Sequence, residues 1–254
     1  MAKKIAINLR KGGGGKTTTA VNLATALHKK GKRTLLVDLD PQANATISVG
    51  IDPIALSKHI NSLFTDITVK TKDAIVKTSF GLSILPSHPD LAETEAGMRA
   101  TQIGLLKGLL EQVERDYDYI IIDTPPAESY LTINALAVAN EIIIPLQAHF
   151  LAMRGLQEAI KEIEQVKKGI NPTLKIAGIL PTMVSNRTNI AKTVLEAVTE
   201  AYNGLVYPFQ VDFSIKHAEA TLAGLPIIIY DPKHQGSLVY MQLADKVIKE
   251  AKND

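Results

Sequence analysis

Lys11-Gly12-Gly13-Gly14-Gly15-Lys16-Thr17-Thr18, near the start of the chain, combines residue types and spacing suited to holding a phosphate. Glycine lets the backbone take positive φ and come close to a ligand. Successive N–H groups can then surround an anion, and a helix beginning there adds the positive end of its dipole. Lys16 supplies a point charge for β- and γ-phosphates, and Thr17 a hydroxyl for Mg²⁺. The generic pattern G-x-x-x-x-G-K-[ST] fails at its first position, where Arg10 stands, and a second lysine, Lys11, opens the loop instead.

Three carboxylates can complete such a site. Asp123 follows Ile120-Ile121-Ile122, at the carboxyl end of an expected strand, where open parallel sheets bind their ligands. A carboxylate placed there holds Mg²⁺ directly or through water. Asp38 and Asp40 close the run Arg33–Asp40. Two residues apart on a strand, they face the same side. One can steady a metal's water shell while the other orients an attacking water. Hydrolysis of a γ-phosphate is mostly positioning and charge stabilisation, so two acids and a lysine suffice. The chain has no cysteine, which excludes disulfides, thiol catalysis and Cys-ligated metals, and its six histidines lack metal-ligand spacing.

These residues need a scaffold. Lys4–Leu9 reads as a buried strand, and Thr19–Lys30 as a helix with Ala20, Leu23, Ala24 and Leu27 on one face. Strand and helix then alternate. Strands are expected at 33–40, 82–86, 118–123, 141–146 and 175–180, and helices at 53–63, 101–114, 131–139, 151–167, 189–202, 215–223 and 237–252. Residues 205–211 read as extended, and Ile227–Tyr230 as a brief strand or bridge. This rhythm predicts an α/β fold, a mostly parallel twisted sheet with helices on both faces. With no repeat, linker or composition shift, residues 1–254 are expected to form one domain. A composition of 46% hydrophobic and 21% charged residues provides for a large core, and a net charge of +2 argues for no partner by itself. The N-terminus lacks the apolar core of a secretory signal and no apolar run reaches membrane-spanning length, so a cytoplasmic protein is expected.

Lys11–Thr18, Leu36–Gln42, Ile122-Asp123-Thr124-Pro125-Pro126 and Pro145-Leu146-Gln147 resemble the successive motifs of ParA/Soj-type DNA-partition ATPases, in the family's order. The resemblance runs on through Asp231-Pro232 and covers almost the whole chain. The phosphate loop is similar to the deviant Walker A motif of the wider ParA/MinD family. The resemblance implies a P-loop fold and a slow, Mg²⁺-dependent ATPase that dimerises face to face on ATP. It implies that Lys11 reaches into the partner's site, Lys16 grips the phosphates within the cradle Gly12–Thr18, and Thr17 and Asp123 serve Mg²⁺. It also implies that Asp40 positions the hydrolytic water, which leaves the metal's water shell to Asp38. Gly12 falls where the family's subunits approach closely, so a side chain there is expected to block pairing.

By the same resemblance, an ATP dimer binds non-specific DNA through basic residues towards the C-terminus. These map to Arg187 in Thr182–Asn189 and to Lys216 in Ile215–Ala220, and Lys192 can join them. Lysine suffices for a phosphate contact, which reads no bases. The implied partner is a ParB-like centromere-binding adaptor, acting on nucleoid-associated protein. No helix-turn-helix precedes the loop, so operator binding is not expected. Two rival readings stand beside this one. A MinD-like ATPase would lie on a membrane through a C-terminal amphipathic helix, but 243–254 has no aromatic residue and ends in acid. A metabolic P-loop phosphotransferase would need a substrate pocket and lid, for which only residues 53–100 are irregular enough.

Overall fold

A computed structural model describes residues 1–10, 12–149, 152–185 and 189–252. In chain order the elements are β1 (Lys3–Ile7), α1 (Lys16–Lys29), β2 (Thr34–Asp38), α2 (Asn44–Ser48), α3 (Ile60–Thr65) and α4 (Thr71–Ala74). Then come β3 (Val76–Lys77), β4 (Ser83–Leu85), α5 (Leu91–Gly97), α6 (Leu105–Glu111), β5 (Tyr119–Asp123), α7 (Tyr130–Val138) and β6 (Glu141–Gln147). The chain continues with α8 (Ala152–Gly169), β7 (Lys175–Thr182), α9 (Asn189–Ala201), α10 (Lys216–Leu222), α11 (Ile227–Tyr230) and α12 (Gln235–Glu250).

The strands form one seven-stranded sheet in the order β3-β4-β2-β5-β1-β6-β7. Only the short β3 runs antiparallel, on β4 at the edge. Alternate residues of each strand face opposite sides. Ile5, Ile7, Leu36, Ile121 and Ile143 therefore pack with α1 and α12 on one face. Ala6, Leu35, Val37, Ile120, Ile122 and Ile142 pack with the helices of the other. A sheet covered on both sides needs near-continuous apolar strands, as YIIID and EIIIP are. With β1 central, the phosphate loop leaves its carboxyl end between the ends of β5 and β6.

Several elements differ from expectation. Helix α1 starts at Lys16, three residues before Thr19, because Gly15 in the left-handed region (φ 86°) turns the chain straight into it. The expected helix 101–114 breaks at Gly104 (φ 105°) into a 3₁₀ turn and α6. Residues 53–63 split in the same way, with Asp52 capping a 3₁₀ turn and His59 capping α3. Ile227–Tyr230 is a helical turn rather than a strand. Residues 205–212 run alongside β7 without forming a strand, bridged at Ile179–Val206 and, just past β7, at Val184–Asp212, and the Val211 N–H donates to the Pro181 carbonyl at 2.9 Å.

Candidate functional site

Gly13 (φ 75°) and Gly15 (φ 86°) take the left-handed backbone that the loop's curl requires. Gly14 is packed from behind: a Cβ there would lie 2.5 Å from Leu9 Cδ2, and its carbonyl accepts a 2.9 Å hydrogen bond from the Thr182 hydroxyl. No side chain caps α1. The first N–H groups of a helix have no partner within it, so they face the loop together with the positive end of the helix.

Lys16, the first residue of α1, is 6% exposed. Burial pulls its ammonium below the usual lysine range, against the attraction of Asp123 and then Asp40. Thr17 and Thr18 are half-buried beside it, and Gly12 and Gly13 are exposed. Asp38 and Asp123 are fully buried at matching positions on adjacent strands. Burial raises Asp123 well above the usual carboxylate range and the neighbouring Asp38 adds to this, while the Thr17 hydroxyl works against it. Neither Asp123 oxygen receives a well-formed hydrogen bond.

Asp38 is satisfied. One of its oxygens accepts from the backbone N–H and the hydroxyl of Thr46, both at 2.8 Å, and the other accepts from the Asp40 N–H at 3.1 Å. Burial still pushes it up to about 6. Asp40, past the end of β2, is raised by burial and moderated by the Gln42 N–H on its Oδ1. The carbonyl of Asp40 is held by the Ser87 hydroxyl at 2.7 Å.

The structure thus brings Gly12–Thr18, Asp38, Asp40 and Asp123 to one end of the sheet. Lys11 and Arg187 lie outside the described residues. Lys192 projects from α9 with its ammonium 4.0 Å from Glu196. Lys216 pairs with Glu219 at 2.7 Å and lies 5.9 Å from the Tyr230 ring centre. Sequence reasoning missed Thr46, Ser87 and Thr182. Only Thr182, a hydroxyl at the carboxyl end of a strand, carried a signal, the same one that marks Asp123. It also missed a cavity of about 280 Å³ beside Gly15 and Thr18, lined by Thr182, Met183, Asp212 and Phe213. A wider groove of about 720 Å³ along α9 lies elsewhere.

Known proteins share this arrangement. A family profile described as an AAA domain matches residues 2–176. The chain is 40% identical to the sporulation initiation inhibitor protein Soj of Bacillus subtilis, over 97% of this chain and 98% of that one. It is also 40% identical to the chromosome partitioning protein ParA of Myxococcus xanthus, over 96% of this chain and 87% of that one. The chain belongs to the ParA/Soj family of partition ATPases. The fold also matches a Mycobacterium smegmatis structure described as cobyrinic acid a,c-diamide synthase with bound ADP and magnesium. The TM-score is 0.86 at 35% identity, over 99% of this chain and 96% of that one. ParA/Soj motifs and a P-loop fold therefore coincide over nearly the full length.

Proposed function

We propose that the protein hydrolyses ATP with Mg²⁺ as an ATP-gated homodimer, binds non-specific DNA, and partitions a plasmid or chromosome with a ParB-like adaptor. Residues 1–254 act as one deviant-Walker unit, cytoplasmic and associated with the nucleoid. The observation that carries the reading is Asp123: a buried carboxylate that receives no well-formed hydrogen bond among the described residues, beside Lys16, Thr17 and an uncapped helix N-terminus. A buried charge of that kind is costly unless a cation or proton meets it. A hard divalent cation with oxygen ligands fits that donor set.

Thr17 and Asp123 would hold the Mg²⁺, which supplies charge neutralisation on the phosphates when bound. Lys16 and the N–H groups of Gly12–Thr18 bind the β- and γ-phosphates. Asp38, whose oxygens hold Thr46 and the Asp40 N–H, serves the metal site at one remove by clamping the loop that carries Asp40. Asp40 then orients water, and Lys11 completes the partner's site. The cavity beside Gly15 and Thr18 has the position to take the nucleoside. Arg187, Lys192 and Lys216 contact DNA phosphates. Lys216 must exchange Glu219 for phosphate, which suits weak, salt-sensitive binding that dimerisation strengthens.

The membrane reading is disfavoured by α12, whose Val239, Leu243, Ala244 and Val247 are buried against the body of the protein. Among the described residues no helix is long and apolar enough to cross a membrane. The test is retention on non-specific DNA with ATP, ADP and neither. ATP-dependent retention that Arg187→Glu abolishes supports the reading. ATP turnover that requires a metabolite acceptor and ignores DNA would overturn it.

A further inference from the structure

His59 and His88, 29 positions apart, stack face to face with ring centres 4.3 Å apart and planes within 11°. Each ring also closes a turn. His59 Nδ1 accepts the Ser62 N–H at 3.3 Å as the cap of α3, and His88 Nδ1 accepts the Asp90 N–H at 3.2 Å. Both Nδ1 atoms are therefore unprotonated and each neutral ring carries its hydrogen on Nε2. The stack joins the start of α3 to the segment Pro86–Asp90, where the Ile60 N–H also donates to the Pro86 carbonyl at 2.9 Å. Ser87, between Pro86 and His88, holds the Asp40 carbonyl through its hydroxyl and accepts nothing from it in return. Its N–H donates to the Thr46 hydroxyl at 3.0 Å, and that hydroxyl donates to Asp38. The stack is thus linked through Ser87 to Asp40, and through Ser87 and Thr46 to Asp38.

We propose that the His59–His88 stack is a positioning element for Asp40, and that protonation of His59 releases it. The proposal rests on the reading of Asp40 as the water-orienting acid. A proton on His59 Nδ1 removes the acceptor that caps α3 and sets a cation against the His88 ring. His59 is 8% exposed, and burial followed by His88 holds it below the usual histidine range. The charged groups around the pair are few. Asp90 lies 3.4 Å from His88 Nδ1 with a largely exposed side chain, and Lys58, next to His59, is paired with Asp73 of α4. In mild acid the cap of α3 fails, Pro86–Asp90 loosens, and the Asp40 carbonyl loses its anchor. The phosphate loop is bonded to neither histidine, so nucleotide binding persists while hydrolysis falls.

The test compares the full chain with His59→Asn, which keeps a capping acceptor without a titrating ring, and His88→Phe, which keeps a stacking ring. kcat and KM for ATP are measured from pH 5.5 to 8, with Asp40→Ala as the control. Unsubstituted protein should hold its kcat down to about pH 6.5 and lose about twofold by pH 5.5 with little change in KM, and His59→Asn should at least halve that loss, as expected when a titrating group controls the chemical step. Superimposable profiles would overturn the proposal. NMR titration of the His59 ring decides independently of any role for Asp40. A midpoint below the ordinary value that rises in His88→Phe supports the stack, and an ordinary midpoint in both proteins overturns it. If Asp40→Ala hydrolyses ATP at the full rate, the water-orienting reading fails on its own, whatever the histidines do.

Discussion

Asp38 and Asp123 are register partners on β2 and β5, both fully buried, yet three hydrogen bonds reach Asp38 and no well-formed one reaches Asp123. The two carboxylates have different work. One holds a loop, and the other, on the proposed reading, is reserved for a positively charged ligand.

Asp123→Asn should therefore stabilise the nucleotide-free protein. Removing a buried, unsatisfied charge is worth on the order of 1–3 kcal/mol. The same change should remove most of the thermal stabilisation that Mg²⁺ and ATP together confer. Thermal melts with and without Mg-ATP check both halves, and a destabilised ligand-free variant would count against the assignment.

Thr46→Val removes a hydroxyl that donates to Asp38 and accepts from the Ser87 N–H. Asp38 keeps its two backbone donors, but the Ser87 N–H is left buried and unpaired, which should cost about 1–3 kcal/mol. ATP hydrolysis should fall more than ATP binding, because the loop carrying Asp40 loosens while the glycine loop does not. Denaturant melts and a binding isotherm separate the two effects.

The pH dependence of stability has a definite sign. Asp38, Asp40 and Asp123 all have raised pKa values in the fold, Asp38 to about 6. A raised carboxylate contributes stability that is present below its unfolded pKa and lost as pH rises through the folded one. His217, pushed down to about 4 by burial and then His234, and His59, also lowered, act the other way. Their contribution is present above the ordinary histidine pKa and lost as pH falls towards the folded value. The nucleotide-free protein should accordingly be less stable at pH 8 than in mildly acidic buffer, because the carboxylate contributions are lost as pH rises through and above about 6. A melting temperature that climbs steadily to pH 8 would contradict this.

Glu219→Gln frees Lys216 from its ion pair. That pair is open to solvent, so the fold should lose little stability. ATP-dependent retention on DNA should strengthen and become more salt-sensitive, whereas Lys216→Glu should weaken it. Unchanged retention in both would remove Lys216 from the DNA surface.

The glycine run, the strand-terminal acids and the alternation of strand and helix were legible because each is local: residue type and spacing carry the signal. Contacts between distant segments were not. Nothing in the run Ser87-His88-Pro89 points to Asp40, 47 positions earlier, yet the Ser87 hydroxyl holds its carbonyl. Ile227–Tyr230 has strand composition, but a helical turn beginning at Pro226 buries Ile227 and Ile228 in the core shared with α1 and α12. Tertiary packing overrode local propensity there. Likewise, α1 lacks the Ser, Thr, Asp or Asn cap that marks most helix starts, because left-handed Gly15 occupies the cap position.

The central claim, that two copies close around ATP, is tested most directly by light scattering with ATP, ADP and neither, using Asp40→Ala to hold the ATP state. Gly12→Val is the control that isolates the interface, since a Cβ at Gly12 meets nothing within 4 Å in its own chain. Asp40→Ala should be a dimer with ATP alone, and adding Gly12→Val should leave a folded monomer of unchanged melting temperature. A monomer under every condition, or a dimer indifferent to Gly12→Val and to nucleotide, would contradict the account.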